Sequence, residues 1–203
     1  MVACEEASWI PPLQADQETI RNRLERGHIY LGKVEGALQG MSSFLQVSVD
    51  EKSLLEEPER FFDDFHSFYS RDFDEDGNAI FLYNVGVARE HRRQGIGSLL
   101  VGAVQQWAEE SNADHLILDG RCPSYNGSKA YSQESFERKT VFRKALQSHD
   151  PGDPLPAEDV LREDPVIDFY FSNLPCEPLA ILPDFLPADP ATDGYRVMLI
   201  TDC

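Results

Sequence analysis

Residues 79–97, AIFLYNVGVAREHRRQGIG, decide the fold of this chain. The first nine are apolar apart from Asn84 and Gly86, which predicts a strand that is buried on both faces. From Ile96 onward, apolar side chains recur at helical spacing, which predicts an amphipathic helix. A second apolar strand is predicted at 115–118. The order of strand, glycine-rich turn, helix and strand indicates a βαβ unit.

The turn between the first strand and the helix carries the clearest chemical signal. Gly95 and Gly97 allow the backbone to approach a ligand closely and to direct several N–H groups at one point. The start of the helix adds unpaired donors and about half a positive charge. Arg92 and Arg93 flank the turn. Together these features predict a binding site for a pyrophosphate.

Two common phosphate motifs do not fit this turn. The ATP-binding P-loop requires GxxxxGK followed by Ser or Thr, and the sequence contains no such run. A dinucleotide-binding fold requires GxGxxG after the first strand, whereas this spacing differs and the strand is internal. An enzyme that uses ATP or a dinucleotide on this turn stays open as an alternative.

Composition narrows the class of protein. The 203 residues are 41% hydrophobic, which suits one domain (1–203) with an insertion that we place at 121–163. The 36 acidic residues against 18 basic ones give a net charge of −18, which disfavours a nucleic-acid partner and tolerates cationic ones. No apolar run approaches the roughly 20 residues of a membrane span.

The N-terminus and the cysteines indicate a compartment. The first residues, MVACEEASW, do not have the pattern of an export signal. The four cysteines are scattered without metal-ligand spacing, so we expect no metal site and reduced thiols in the cytoplasm.

The rest of the chain divides into short elements. We predict helices at 16–27, 128–147 and 164–173, and strands at 179–182 and 195–201. Residues 28–48 are predicted to form two strands joined at Glu35-Gly36.

The pattern Arg/Gln-x-x-Gly-x-Gly/Ala, between a strand that ends in Val-x-Val and an amphipathic helix, resembles the acyl-CoA signature of the GCN5-related N-acetyltransferase (GNAT) superfamily. The resemblance implies an α/β fold with a mixed, splayed central β-sheet flanked by helices. It also implies that one continuous segment binds acetyl-CoA or another acyl-CoA: Val85, Gly86, Val87, Arg92, Arg93, Gln94, Gly95, Ile96, Gly97 and Ser98.

The C-terminal part is similar to the acetyltransferase-like domain that is found fused to carbon–nitrogen hydrolases. The similarity lies in 120–125, 164–170, 182–187 and the pair Gly194-Tyr195. In that arrangement an insertion precedes the last helix, as we predict here.

The resemblance implies an acyl-CoA-dependent N-acyltransferase that moves an acetyl group directly to a primary amine. The acceptor would be a small molecule or a peptide, including cationic ones, and homodimers are common in such folds. The alternative is a non-catalytic acyl-CoA-binding module, which acts as a sensor or partner domain.

The catalytic groups are less defined than the cofactor segment. The family's usual acid is a Tyr on the last helix, which corresponds to Tyr170, with Tyr131 as the alternative. The backbone N–H of Val85 or Gly86 would stabilise the thioester oxygen. The motif strand has no carboxylate; Asp119, Asp72, Asp74 or a water chain would serve as the base.

Overall fold

The structure is a computed structural model that describes residues 1–9, 14–26, 28–62, 74–127, 138–186, 189 and 191–203. The strands are β1 (His28–Val34), β2 (Ala37–Val47), β3 (Ala79–Val87), β4 (His115–Arg121), β5 (Glu177–Leu182) and β6 (Arg196–Asp202). They form a mixed sheet in the order β1-β2-β3-β4-β6-β5. This confirms the predicted α/β class.

Helices flank the strands within the described ranges. They are α1 (Val2–Ser8), α2 (Gln17–Arg26), α3 (Glu51–Glu56), α4 (Pro58–Phe61), α5 (Ile96–Glu110), α6 (Thr140–Gln147), α7 (Glu158–Leu161) and α8 (Pro165–Asn173), with a 3₁₀ turn at Arg89–His91. None of them combines the length and apolar character that crossing a membrane requires.

The chain divides into two compact units. The first comprises Met1–Ser48, Asp72–Leu118 and Asp202–Cys203, and the second comprises Val49–Arg71 and Asp119–Thr201. The description as one domain with an insertion at 121–163 stays a prediction.

In the first unit, β1 and β2 form the predicted hairpin. Its turn residues Glu35 and Gly36 have φ values of 51° and 83°, the left-handed conformation that a tight hairpin requires. β2 pairs antiparallel with β3, and β3 pairs parallel with β4. Helix α5 covers one face of these strands with a buried apolar stripe formed by Ile96, Leu100, Val101, Val104 and Ala108.

The start of α5 lies very close to the hairpin. A Cβ built on Gly32 or Gly40 would lie 2.9 or 2.8 Å from Ile96 Cγ2. The absence of side chains at these two glycines therefore allows the first turn of α5 to sit directly on β1 and β2.

In the second unit, β5 and β6 are antiparallel, and helix α8 has a well-defined start. The Asp164 carboxylate caps α8 by accepting from Val166 N at 2.9 Å and also accepts from Ser124 N at 2.7 Å. Pro165 occupies the first helical position, where its missing N–H is not needed. The predicted helix at 164–173 is thus confirmed, with Asp164 as its cap.

Of the predicted helix at 128–147, the described residues confirm the part from Thr140 to Gln147. Helix α6 begins only at Thr140, because Lys139 has an extended backbone and donates its N–H to Ser124 O at 3.0 Å. Residues 128–137, including Tyr131, lie outside the described residues.

Candidate functional site

Strand β3 contains a β-bulge where its pairing with β4 ends. In the register with β2, Ser43 faces Asn84 but Phe44 faces Leu82, so Tyr83 is the extra residue. The parallel register with β4 runs only from Ala79 to Leu82. Because a bulge bends its strand, β3 turns at Tyr83 and continues for several residues beyond its last pair with β4.

The hydrogen bonds at the end of β3 show which backbone groups face its outer edge. Ala88 N donates to Gln39 O at 2.7 Å, so the N–H of Ala88 points toward β2. Backbone groups alternate along a strand, so the N–H of Gly86 also points toward β2. The N–H groups of Val85 and Val87 therefore point toward the other edge. Of the two oxyanion donors considered from the sequence, the geometry favours Val85.

The loop after β3 is held by the Arg92 side chain. Its Nε donates to Val87 O at 3.0 Å and its Nη2 donates to Ser8 O at 2.9 Å. The half-buried guanidinium thus ties the loop to both the end of β3 and the end of α1. Arg93 is exposed, with φ 62°, and Gln94 Nε2 donates to Glu90 O at 3.1 Å. Arg92 shapes the loop, whereas Arg93 presents its charge at the surface.

The N-terminus of α5 has the features of an anion site. Gly95 is its N-cap, with φ 82° and no side-chain cap. The first N–H groups of a helix, here those of Ile96, Gly97 and Ser98, have no partner within the helix. They can therefore bind a phosphate, to which the helix dipole adds a favourable field.

Helix α1 covers the opposite face of β3, and sequence reasoning missed this helix. A Cβ on Gly86 would lie 2.9 Å from Trp9 Nε1 and 3.0 Å from Ser8 Cβ, so only glycine fits beneath α1. The buried Glu5 carboxylate lies 3.6 Å from Arg23 Nη1. The helix-forming run VACEEAS was the signal that could have revealed α1.

Two polar side chains, one on β3 and one on β2, are buried in the first unit. Asn84 on β3 and Ser43 on β2 are cross-strand neighbours, 6% and 0% exposed. Within the described part of the chain, neither amide atom of Asn84 nor the Ser43 hydroxyl has a hydrogen-bond partner. A buried polar group without a partner costs about 1–3 kcal/mol. The described part of the fold therefore leaves these two buried polar groups without a hydrogen-bond partner.

Tyr170, the predicted acid, lies on α8 in the second unit and is buried. Burial, together with the negative charge of Asp119, raises the pKa of its hydroxyl above the ordinary value. The hydroxyl therefore carries its proton at neutral pH, as a proton donor requires.

The candidate bases that the structure describes have structural partners. Asp119 Oδ1 lies 3.0 Å from Arg196 Nε, and burial raises the pKa of this carboxyl despite that partner. Asp74 accepts from Ser48 Oγ at 2.7 Å and from Asp76 N at 3.1 Å in an exposed turn. Asp72 lies outside the described residues. The structure therefore gives no new support to a carboxylate base among these residues.

The described ranges contain no group of three or more His, Cys, Asp or Glu residues that could hold a metal ion.

Comparison with known proteins places these features in a family. The family model described as the Acetyltransferase (GNAT) family matches residues 2–133. The chain is similar to the loading GNATL domain of CurA from Lyngbya majuscula, with a TM-score of 0.71 at 18% identity, covering 99% of this chain and 90% of that one. A comparison with curated proteins returns no match.

Two further solved structures share the fold. The GphF GNAT-like decarboxylase in complex with isobutyryl-CoA has a TM-score of 0.64 at 19% identity, covering 99% of this chain and 92% of that one. The ribosomal-protein-S18-alanine N-acetyltransferase from Escherichia coli has a TM-score of 0.55 at 14% identity, covering 99% of this chain and 84% of that one.

Proposed function

Since the chain belongs to the acetyltransferase (GNAT) family, we propose that it is an acyl-CoA-dependent N-acyltransferase that moves an acetyl group directly to a primary amine. The observation that carries this proposal is the start of α5, where Gly95 introduces the helix without a side-chain cap. The N–H groups of Ile96, Gly97 and Ser98 would bind the pyrophosphate of coenzyme A.

The outer edge of β3 would bind the rest of the cofactor. The backbone of Val85, Gly86 and Val87 would run beside the pantetheine arm, and the bulge at Tyr83 would mark the position of the thioester. The complex of a structural neighbour with isobutyryl-CoA supports an acyl-CoA co-substrate.

In the reaction, the amine nitrogen attacks the carbonyl carbon of the thioester, and a C–N bond forms. The N–H of Val85 would stabilise the negative oxygen. The C–S bond then breaks and Tyr170 would protonate the leaving thiolate, while the proton lost from nitrogen leaves through water and returns to the tyrosine. Because both substrates are held in one site, much of the acceleration comes from positioning.

Membership of the family does not by itself imply a hydrolase-fused relative or a cellular location. The likeness to domains fused to carbon–nitrogen hydrolases stays a prediction. The four cysteines are free thiols, in keeping with the cytoplasm that we propose as the location.

The experiment is a measurement of acetyl-CoA binding by calorimetry and of free CoA release with a panel of amines. We expect binding together with amine-dependent release. Preference for ATP or NAD over acetyl-CoA would contradict the proposal.

The alternative, an acyl-CoA-binding module without turnover, is favoured by one observation. Strand β3 carries Tyr83 and Asn84 where a carboxylate base would otherwise be found. Tight binding of acetyl-CoA without CoA release above background would establish this alternative.

Tyr170→Phe tests the assigned acid. The phenyl ring keeps the packing of α8 but cannot donate a proton, so we expect kcat to fall at least tenfold with acetyl-CoA affinity unchanged. Tyr195→Phe, at another tyrosine of the second unit, is the control. Full activity of Tyr170→Phe, or an equal loss in Tyr131→Phe alone, would remove Tyr170 from this role.

A further inference from the structure

The carboxylate of Asp164 is a fully buried group that joins two segments of the second unit. Its Oδ2 accepts a hydrogen bond from Ser124 N at 2.7 Å, in the loop after β4. Its Oδ1 accepts from Val166 N at 2.9 Å and from Ile167 N at 3.4 Å, in the first turn of α8. Both oxygens thus act as acceptors. Only the ionised carboxyl has two oxygens that accept and no hydrogen of its own.

The loop that contains Ser124 is restrained on its other side as well. The carbonyl oxygen of Ser124 accepts from Lys139 N at 3.0 Å, immediately before α6. A further hydrogen bond, from Tyr125 N to Cys122 O at 3.0 Å, closes the turn. Because these bonds restrain the loop, its position determines where Asp164, and with it the start of α8, can lie.

Helix α8 carries Tyr170, the proposed acid, less than two turns after Asp164. Ile167 and Tyr170 are three residues apart and therefore lie on the same side of the helix. A Cβ built on Gly120 of β4 would lie 2.6 Å from Ile167 Cδ1, so this side of α8 lies directly against β4. In such close packing, a displacement of the first turn of α8 moves the Tyr170 hydroxyl as well.

Asp164 differs from two other carboxylates of the second unit, because no cation among the described residues pairs with it. Asp119 and Asp189, by contrast, both pair with Arg196, at 3.0 and 3.1 Å. Burial raises the pKa of the Asp164 carboxyl to about 6, although its hydrogen-bond donors oppose this shift. The ionised and the protonated forms are therefore both accessible close to neutral pH.

The elements around this carboxyl carry other titratable or charged side chains. They are Asp119, Arg121, Cys122 and Tyr125 on β4 and the following loop, Lys139, Arg143, Lys144 and His149 at α6 and just after it, Glu158, Asp159, Arg162 and Glu163 at α7, and Asp168 and Tyr170 on α8. Arg121 binds Asp189, and Arg143 donates to Asn126. Arg162 binds Glu158 and Asp168. These three guanidinium groups therefore have partners other than Asp164.

We propose that Asp164 is the positioning residue for Tyr170 and that protonation of its carboxyl lowers turnover. The inference rests on the proposed function, in which Tyr170 protonates the leaving thiolate. The ionised carboxylate holds the loop and α8 together. A proton on Oδ2 would face the N–H of Ser124, and a proton on Oδ1 would face the first N–H groups of α8. In either case two donors oppose each other, and one of the two contacts is lost.

The first test follows both ends of this connection by NMR in the full chain. The amide proton of Ser124 and the carbon-13-labelled ring of Tyr170, assigned with Tyr170→Phe, should titrate together with a midpoint near pH 6. Asp164→Asn should abolish both titrations, since an amide does not ionise in this range. Asp168→Asn is the matched control and should retain both, because Asp168 is on the same helix but pairs with Arg162 in a partly exposed position.

The second test measures kcat with acetyl-CoA and the most active amine of the panel. At pH 7.5 we expect kcat of Asp164→Asn to be about fivefold or more below wild type, with the Kd for acetyl-CoA within about twofold. The ratio of the two kcat values cancels the titration of the amine itself. It should approach one near pH 5, where the wild-type carboxyl is protonated too. The corresponding ratio for Asp168→Asn should stay close to one throughout.

Ser124→Ala is a second variant, which should move the midpoint in one direction. The Ser124 side chain lowers the pKa of Asp164 by hydrogen bonding to its ionised form. Its removal leaves the backbone N–H in place and weakens the stabilisation of the charge. The midpoints of kcat and of the Tyr170 signal should therefore both move to higher pH.

Three results would overturn the inference. The first is a Tyr170 signal that does not follow the titration of Ser124, and the second is wild-type kcat in Asp164→Asn at pH 7.5. The third is a loss of kcat that matches a loss of folded protein in thermal unfolding, because Asp164 would then be a structural cap only. Full activity of Tyr170→Phe, or no CoA release with any amine, would instead overturn the proposed function, and this inference with it.

Discussion

Gly95 shows how the backbone conformation of a single residue creates the proposed phosphate-binding site. Its φ of 82° lies in the left-handed region, and a Cβ there would meet nothing within 4 Å. A side chain would fit in the space around Gly95, but the backbone would be strained. The residue thus turns the chain sharply into α5 while leaving the first N–H groups of the helix accessible.

We predict that Gly95→Asp weakens acetyl-CoA binding at least tenfold, about 1.4 kcal/mol, since it adds strain and a negative charge beside the phosphates. Gly95→Ala adds only the strain and should weaken binding less. Calorimetric Kd values check both.

Gly102→Ala is the control for this series. Gly102 is inside α5, and a Cβ there also meets nothing within 4 Å. Alanine should stabilise the helix by about 0.5–1 kcal/mol and leave the Kd unchanged. Equal Kd values for Gly95→Asp and wild type would exclude this turn as the cofactor site.

At the scale of elements, the loop between β3 and α5 depends on two arginines with different contacts. Arg92 donates to Val87 O and Ser8 O, and so connects α1, β3 and the loop. Arg93 is exposed. The two neighbours therefore contribute to binding by different physical means.

We expect Arg92→Ala to lower both the Tm and the affinity for acetyl-CoA, because the loop loses two hydrogen bonds to carbonyl oxygens. Arg93→Ala should weaken binding mainly at low salt, where the attraction of an exposed charge is strongest. Thermal unfolding and calorimetry at two salt concentrations measure these effects. A stable Arg92→Ala protein with wild-type affinity would contradict the loop assignment.

The start of α8 makes stability depend on pH through Asp164. Burial raises the pKa of this carboxyl to about 6, against the opposing effect of the N–H donors of Ser124 and Val166. The pKa of Asp164 in the folded state lies above its unfolded value of about 3.9. The protonated carboxyl therefore stabilises the fold, and this contribution is fully present below pH 4. It is lost as the pH rises through 6.

We therefore predict that the Asp164→Asn variant, which keeps a capping oxygen, becomes more stable relative to wild type as the pH rises from 4 to 7. The difference in the free energy of unfolding should grow by up to about 3 kcal/mol. Urea unfolding at both pH values measures it. A difference that does not change with pH would contradict the assigned pKa.

At the scale of the whole molecule, the second unit has a buried network of charges at its centre. Asp189 binds Arg121 through both carboxylate oxygens and lies 3.1 Å from Arg196 Nη2, while Arg196 also pairs with Asp119. Asp189 is fully buried. Removing Asp189 would leave the guanidinium groups of Arg121 and Arg196 with too little negative charge nearby to balance them.

We predict that Asp189→Ala lowers the free energy of unfolding by about 3–5 kcal/mol, as expected when one partner of a buried ion pair is removed. Asp168→Ala is the matched control. Asp168 pairs with Arg162 at 2.7 Å in a partly exposed position, where such pairs contribute about 0–1 kcal/mol. Urea denaturation measures the free energy of unfolding of both variants. Similar losses in Asp189→Ala and Asp168→Ala would show that burial does not set the cost of removing the carboxylate.

Local patterns in the sequence determined the elements that carry the proposed cofactor site. The apolar run at Ala79–Val87, the glycine turn and the helical stripe from Ile96 all lie at the predicted positions. Short-range periodicity and glycine conformation control such elements, so one sequence is sufficient to predict them. The hairpin turn at Glu35-Gly36 and the short helix at 164–173 were predicted for the same reason.

Tertiary structure alone decided how those elements use their side chains. It directed the Arg92 guanidinium onto two carbonyl oxygens, placed α1 over Gly86, and left Asn84 and Ser43 buried without partners in the described chain. These outcomes depend on contacts between residues far apart in sequence and on strand register. A one-residue change of register moves every side chain to the other face, and no local pattern fixes it.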